Sequence, residues 1–391
     1  MLKDFQVGVN TRNPNPPASQ RSTKKENCMT SNRVFNFSAG PATLPLPVLE
    51  QAQKELLCYP GAGASVMEIS HRSDAFKGIL EEAKSNIKTL LGISDEYAVL
   101  FTPGGATMQF SMLAMNFLKG ATADYINTGS WAKKAIQAAA RCGTARSAWS
   151  GQEEKFNRTP QPEEPELSPE AAYVHFTSNE TIEGIQYATE PDAKGKPLFC
   201  DSSSDFLCRP IDISKYALLY AGAQKNIGPS GTAVVVLRKD MLEQVPDGLH
   251  PLLDYKVMEE NDSLYNTPAT FTIYIISLVS RWLLKEIGGL EKMHVINKHK
   301  AKMLYEVIDA SGGFYRGHAQ PACRSIMNVT FRVGTEEQEK AFLSQAKAAG
   351  LDGLKGHRSV GGCRASIYNA MPVDGVMTLR DFMLEFQRTN G

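Results

Sequence analysis

Tyr216-Ala-Leu-Leu-Tyr-Ala-Gly-Ala-Gln-Lys225-Asn-Ile-Gly-Pro-Ser-Gly-Thr232 is the stretch whose reading decides the fold. The apolar run at 217–221 predicts a buried strand, and the run at 232–237 predicts another. Between them stand Gly222, Ala223, Gly228, Ser230, Gly231 and a single lysine, Lys225. A lysine at the mouth of two core strands is poorly hydrated. That favours its neutral, nucleophilic amine, the form that makes a Schiff base. Small neighbours leave room for a flat ring. Taken alone, the stretch favours a strand-end lysine that reaches solvent, as most lysines do.

Upstream, Pro197-Leu-Phe-Cys-Asp201-Ser-Ser-Ser204 is an apolar strand that ends in an aspartate. Such an acid, placed before the lysine, suits pyridoxal phosphate. Its carboxylate would pair with the protonated pyridine nitrogen and keep the ring an electron sink.

The 391 residues exceed one compact core and predict two domains. With 42 basic residues against 42 acidic ones, no global field draws the chain to nucleic acid or to an anionic membrane, so any anion site must be local. The 7 cysteines show no CxxC spacing, which favours a reduced, cytoplasmic setting and no metal site. No apolar run approaches the roughly 20 residues needed to span a bilayer.

Residues 1–32 are polar and partly proline-rich, and disorder is expected there; they lack the apolar core of a signal peptide. Met29 could equally be a start. From 34 to 45 the chain is extended, and 47–57 and 76–91 predict helices. The order strand, turn and helix then recurs: a strand at 97–101, the turn Thr102-Pro-Gly-Gly-Ala-Thr107 and a helix at 108–117; a strand at 124–131 ending in Trp131 and a helix at 132–141; a strand at 172–181 ending near Thr181. Residues 152–169 read as an exposed connection. A Gly-rich turn before a helix can hold a phosphate on free backbone N–H groups, although Gly-Gly-Ala-Thr matches neither a P-loop nor GxGxxG. This alternation predicts an α/β fold with a mainly parallel sheet flanked by helices. Its polar groups, Thr107, Trp131, Thr181, Asp201 and Lys225, gather at the strands' C-terminal ends, where open α/β sheets bind ligands.

Residues 253–270 read as a loop, 271–286 as an apolar helix and 291–310 as a long helix with Lys298, Lys300 and Lys302 in solvent. Strands at 326–333 and 364–369 with helices at 336–349 and 378–388 predict a small α+β layer. The expected division is therefore a segment at 33–45 packing with the small domain, a large cofactor-binding domain at 46–297 and a small domain at 298–391. Lys355, His357, Arg358 and Arg364, interleaved with glycines, form a candidate anion site.

Several longer stretches carry a resemblance: Phe35-Asn-Phe-Ser-Ala-Gly-Pro-Ala42, Ser65-Val-Met-Glu-Ile-Ser-His-Arg72, Asn179-Glu-Thr-Ile182, Tyr220-Ala-Gly-Ala-Gln-Lys-Asn-Ile-Gly-Pro229, Tyr265-Asn-Thr-Pro-Ala-Thr-Phe271, and Gly356-His-Arg358 with Arg364-Ala-Ser-Ile-Tyr-Asn-Ala-Met371. From about residue 34 to its end the chain resembles the phosphoserine aminotransferases, fold-type I, class V enzymes that depend on pyridoxal phosphate. The resemblance implies that Lys225 carries the cofactor, Asp201 pairs with its ring nitrogen, Trp131 stacks on the ring and Thr181 bonds its phenolic oxygen. It further implies that Ala106, Thr107 and Gln224 hold the phosphate, joined by Asn266 and Thr267 of a second subunit in a homodimer. His71, Arg72, His357, Arg358 and Arg364 would bind substrate anions, those of L-glutamate and 3-phosphohydroxypyruvate. Two positions depart from some relatives. Ala39 stands where they have serine, which removes a hydroxyl contact to the substrate, and Thr107 where they have arginine, which shifts the load of the substrate phosphate to the His/Arg groups.

The rival readings are a serine– or alanine–glyoxylate transaminase, a cysteine desulfurase using Cys363, and a non-catalytic phosphate-binding module. Glyoxylate needs only one anion site, so the basic loop from His357 to Arg364 argues against the first. A desulfurase needs a mobile cysteine, and Cys363 is wedged beside Arg364.

Overall fold

The computed structural model describes residues 33–391, and Val34–Gly391 form one compact unit. The tail expected to be disordered at 1–32 lies outside the described residues. A short strand, β1 (Phe35–Asn36), leads to α1 (Leu46–Glu55) and α2 (Asp74–Leu91). Helix α2 begins where the Ser73 hydroxyl accepts a bond from the Phe76 amide, and it buries Ile79, Leu80, Ala83 and Ile87 along one side. Full burial contributes about 1.5–3 kcal/mol for each of the larger of these side chains.

Strand and helix then alternate as β2 (Tyr97–Pro103), α3 (Ala106–Phe117), β3 (Thr122–Asn127), α4 (Ser130–Ala139), β4 (Thr144–Ser150) and β5 (Val174–Thr177). A two-residue hairpin follows, β6 (Asn179–Glu180) with β7 (Ile185–Gln186), and then β8 (Leu198–Asp201), β9 (Leu218–Gly222) and β10 (Thr232–Arg238). Seven strands join in the order β2-β10-β9-β8-β5-β3-β4. Strand β10 is antiparallel to both neighbours, β2 and β9, and every other pairing is parallel.

Because side chains alternate along a strand, each strand feeds two cores. Val234 and Val236 of β10 join Leu219, Phe101 and the apolar faces of α1 and α2 on one side. Val235 and Leu237 join Tyr220, Leu100 and α3 on the other. All strands but β10 point the same way, so the ends of β2, β3, β5, β8 and β9 share one edge.

The remainder comprises α5 (Tyr255–Glu260), α6 (Thr270–Trp282), a π-helical turn at Leu283–Ile287, α7 (Leu290–Ala310), β11 (Tyr315–Gly317), β12 (Asn328–Val333), α8 (Glu336–Ala348), β13 (Leu351–Asp352), β14 (Cys363–Ser366) and α9 (Val373–Asn390). Strands β11, β12 and β14 form an antiparallel sheet, and β13 pairs in parallel with β1. Helices α7, α8 and α9 share a third core with these strands, containing Leu304, Val329, Phe342 and Leu379, whereas α5 and α6 pack into the first two. Helix α7 runs through residues 297 and 298, the expected domain division.

Four local expectations differ from the fold. The loop expected at 253–270 contains α5, started by Asp254, whose carboxylate accepts bonds from the Lys256 and Val257 amides. Strand β4 was not legible because Thr144-Ala-Arg-Ser-Ala-Trp-Ser150 is a half-exposed edge strand without a clear apolar face. It is tied to the sheet partly through Arg146, whose guanidinium bonds the fully buried Asp124 at 2.8 and 3.0 Å. Trp131 lies in the first turn of α4 rather than at a strand end. Lys300, expected in solvent, is fully buried, while Lys298 and Lys302 are exposed.

Candidate active site

The shared strand edge opens into a cavity of about 500 Å³ lined by Gly40, Gly104, Ala106, Thr107, Trp131, Asp201, Gln224 and Lys225, among others. Lys225 follows β9 by three residues and reaches into this space. Its half-buried amine donates to Thr181 Oγ1 at 2.7 Å and lies 4.8 Å from the centre of the Trp131 ring. Burial lowers its pKa from the ordinary 10.5, while the Asp201 and Glu180 carboxylates pull it back up. The amine is thereby easier to deprotonate than a solvated lysine, which makes it a better nucleophile and base.

Asp201 ends β8 and is 3% exposed. Its Oδ1 accepts from the Ser203 amide at 2.9 Å and the Ser203 hydroxyl at 2.6 Å, and that hydroxyl accepts from the Gly222 amide at 3.0 Å. The acid is thus anchored to the start of the Lys225 loop. Among the described residues no hydrogen bond reaches Oδ2, which leaves it for a cationic partner. Burial raises the Asp201 pKa, and the Lys225 charge opposes that rise.

Two residues that sequence reasoning did not assign hold Trp131 in place. Glu180, 1% exposed, accepts from the Trp131 amide at 3.0 Å and the Ala132 amide at 2.9 Å. Glu183 accepts from the Ser130 amide at 3.0 Å and the Ser130 hydroxyl at 2.6 Å. Together they satisfy the orphan N–H groups at the start of α4, where the helix dipole favours negative charge. Burial first, and the Glu183 charge second, hold the Glu180 carboxyl well above the usual range. Glu180 lies inside the quoted motif Asn179-Glu-Thr-Ile182, but nothing local says that its side chain reaches a helix about fifty residues upstream.

The opposite wall is the start of α3. Its N-cap, Gly105, offers no side chain, so no side-chain group occupies the Ala106 and Thr107 amides. Gly104 bends the chain into this helix at φ +86°, a conformation that favours glycine. A methyl group at Gly222 would stand 3.0 Å from Gln224 Oε1 and 3.3 Å from the Ala106 nitrogen, which places the glutamine side chain beside the helix start.

On the side of the small sheet, Arg364 in β14 directs Nη1 at the Thr181 carbonyl, 3.4 Å away. Burial, and then the charges of Arg364 and Arg358, push His357 below its ordinary value, so its ring favours the neutral form near two permanent cations. His357 Nδ1 lies 2.7 Å from the Ser359 hydroxyl. Arg358 is exposed, and Lys355 is exposed on the same segment. Ala39 contributes a carbonyl, which accepts from the Tyr368 hydroxyl at 2.8 Å. His71, Arg72, Asn266 and Thr267 are not among the residues lining the cavity. Arg72 and Thr267 are exposed, and the Asn266 side-chain amide donates to its neighbour's carbonyl at 3.1 Å.

These features fit pyridoxal phosphate. Uncapped amides at a helix start suit its phosphate, the free Oδ2 of Asp201 suits a protonated ring nitrogen, and Lys225 suits its aldehyde. The Trp131 ring provides a flat wall, and its buried Nε1 has no hydrogen-bond partner among the described residues.

Comparisons with known proteins agree with the geometry. The family described as Aminotransferase class-V matches residues 34–379. A phosphoserine aminotransferase of Desulfosudis oleivorans is 53% identical over 363 residues, 92% of this chain and 100% of that one. The solved phosphoserine aminotransferase from Bacillus circulans subsp. alkalophilus superposes with a TM-score of 0.90 at 48% identity, covering 92% of this chain and 99% of that one. A pyridoxal phosphate-bound phosphoserine aminotransferase from Trichomonas vaginalis gives a TM-score of 0.85 at 38% identity, over 90% and 100% of the two chains. The α/β fold is thus shared with enzymes of known class, and the chain belongs to the phosphoserine aminotransferases of the class V aminotransferase family, which work with pyridoxal phosphate.

Proposed function

We propose that this enzyme interconverts L-glutamate and 3-phosphohydroxypyruvate with 2-oxoglutarate and O-phospho-L-serine. The observation that carries the reading is one cavity lined by a desolvated Lys225 and by Asp201 with its free Oδ2, with Arg364 reaching the same Thr181 to which Lys225 bonds.

Pyridoxal phosphate, when bound, supplies an electron sink for the bond broken at the substrate's α-carbon. Asp201 Oδ2 holds the proton on the ring nitrogen. Lys225 Nζ would hold the cofactor's aldehyde and, as a free amine, would take the α-proton as general base. The Thr181 hydroxyl, now bonded to Lys225, orients the ring's oxygen, and Trp131 covers one face of the ring against water. The amides of Ala106 and Thr107, with the Gln224 side chain, hold the phosphate. Arg364 binds the substrate carboxylate, and His357 and Arg358 bind either the phosphate of one substrate or the side-chain carboxylate of the other, since both are compact anions.

His71, Arg72, Asn266 and Thr267 complete the site across a homodimer, with Asn266 and Thr267 reaching the partner's phosphate. This is supported by their absence from the single-chain cavity lining and by exposed apolar neighbours, Leu57 and Met67 before His71 and Tyr265 beside Asn266. We read 46–297 as the large domain and 298–391 as the small one, the third core belonging to the latter. A cytoplasmic setting and a related role in vitamin B6 synthesis belong to the same proposal. Among the described residues no helix is long and apolar enough to cross a membrane.

The test is borohydride reduction of the cofactor-loaded protein followed by peptide mapping, together with Lys225→Ala. The adduct should map to Lys225, and the variant should keep its circular dichroism and lose transamination. An adduct on another lysine, or appreciable turnover by the variant, would overturn the assignment.

A further inference from the structure

Lys300 is 0% exposed, on a helix whose neighbouring lysines are in solvent. Its Nζ lies 2.9 Å from the Ile367 carbonyl, 2.7 Å from that of Tyr368 and 3.1 Å from that of Met371. Three carbonyls thus converge on one point, and only an ammonium has three hydrogens to give them. Burial, opposed by Cys208, pulls the amine down to about 7; hydrogen bonds to three carbonyls favour the charged form.

The turn that Lys300 gathers makes two further connections. The Asn369 amide donates to Asn226 Oδ1 at 2.9 Å, and Asn226 Nδ2 donates to the Phe206 carbonyl at 2.6 Å. Asn226 is the residue after Lys225. The Tyr368 hydroxyl donates to the Ala39 carbonyl at 2.8 Å, beside Gly40, which lines the cavity. Gly40 packs on the stem of Lys225, since a methyl group there would stand 3.4 Å from Lys225 Cγ. Asn297, one helical turn before Lys300, braces the same turn by donating to Asn369 Oδ1 at 2.8 Å. Two walls of the Lys225 cavity are therefore tied to one turn, and that turn is tied to one buried charge.

We propose that Lys300 is a positioning residue for the active site: its ammonium holds the 367–371 turn, which sets the Lys225 loop through Asn226 and the Ala39 segment through Tyr368. The role in catalysis rests on Lys225 being the cofactor lysine. The mechanical coupling does not, and the experiment separates the two.

Hydrogen exchange with mass spectrometry on the cofactor-loaded full chain compares wild type with Lys300→Met, which keeps the length and removes the donors. Peptides covering 222–228 and 38–42 should exchange roughly threefold faster or more, while β2 and α3 stay unchanged. Asn226→Ala should reproduce the rise at 222–228 only, and Tyr368→Phe the rise at 38–42 only. These two variants leave the Lys300 bonds intact and carry the test should Lys300→Met not fold. The turnover number should fall about tenfold in Lys300→Met with KM for both substrates within a factor of about two, the pattern of a misplaced reacting group. Faster exchange confined to 367–371 and α7, or unchanged exchange in both single-link variants, would overturn the coupling. Faster exchange at both walls with unchanged turnover would leave the coupling standing and overturn the positioning role of Lys300 in catalysis.

Discussion

Gly129→Ala tests how Trp131 is held. Gly129 precedes α4 with φ 169°, an extended backbone open to any residue, so space rather than conformation is the constraint. An added methyl group would stand 2.7 Å from Glu180 Cδ and 2.9 Å from both its Cγ and Oε2. Those atoms cannot yield cheaply, because the carboxylate is buried and spans the Trp131 and Ala132 amides at 3.0 and 2.9 Å. Overpacking of this kind costs about 1–3 kcal/mol, and the hydrogen bonds to a carboxyl whose burial favours its neutral form are worth about 0.5–1.5 kcal/mol each. Part of the second loss is returned, since Glu180 is already strained by burial and by Glu183, and its displacement relieves both. The net expectation is about 2–4 kcal/mol of lost stability, with weaker cofactor binding as the indole tilts. Chemical unfolding of the cofactor-loaded protein measures the first effect, and a cofactor titration measures the second. The decisive control is Gly129→Ala combined with Glu180→Ala. The truncation empties the space that the methyl group needs, so the double variant should be no less stable than Glu180→Ala alone, a coupling within the usual range of about 0.5–3 kcal/mol. Losses that simply add, or a single Gly129→Ala variant within about 0.5 kcal/mol of wild type, would refute the reasoning.

Two further expectations concern the charged groups. Arg358→Ala should raise KM for the phosphorylated substrate about tenfold or more and leave the cofactor dissociation constant nearly unchanged, because Arg358 stands off the cavity lining; unchanged KM in steady-state kinetics would count against the basic loop. In the cofactor-free chain, Lys225 should react with an amine-modifying reagent with a half-point below pH 10.5, since burial favours its neutral form. Asp201→Asn removes the largest opposing charge and should move that half-point further down; a rise would contradict the electrostatics described here.

Much of this was legible in the amino-acid order. The run at 217–221 and the run at 232–237 are β9 and β10 nearly to the residue, because a strand buried on both faces must be apolar at every position. The repeated order of strand, small-residue turn and helix placed Thr107, Trp131, Thr181, Asp201 and Lys225 at one edge, since parallel strands that share a direction also share an end. Helix α5 was within reach of a closer reading, as Asp254 before Tyr-Lys-Val-Met-Glu-Glu260 is an N-cap signal.

Other features depend on groups far apart in the chain. Lys300 sits among lysines that do face water, and only the arrival of the 367–371 turn buries it. Glu180 and Glu183 become helix caps because a hairpin after β5 brings them to α4, and strand β4 exists because the edge of β3 offers it bonds that its own apolar pattern would not demand. Periodicity records what each residue's immediate neighbours require, and it is written into the sequence because water acts on every element alike. A buried charge or carboxylate is tolerated only where distant backbone groups converge on it, and that convergence is a property of the assembled fold alone.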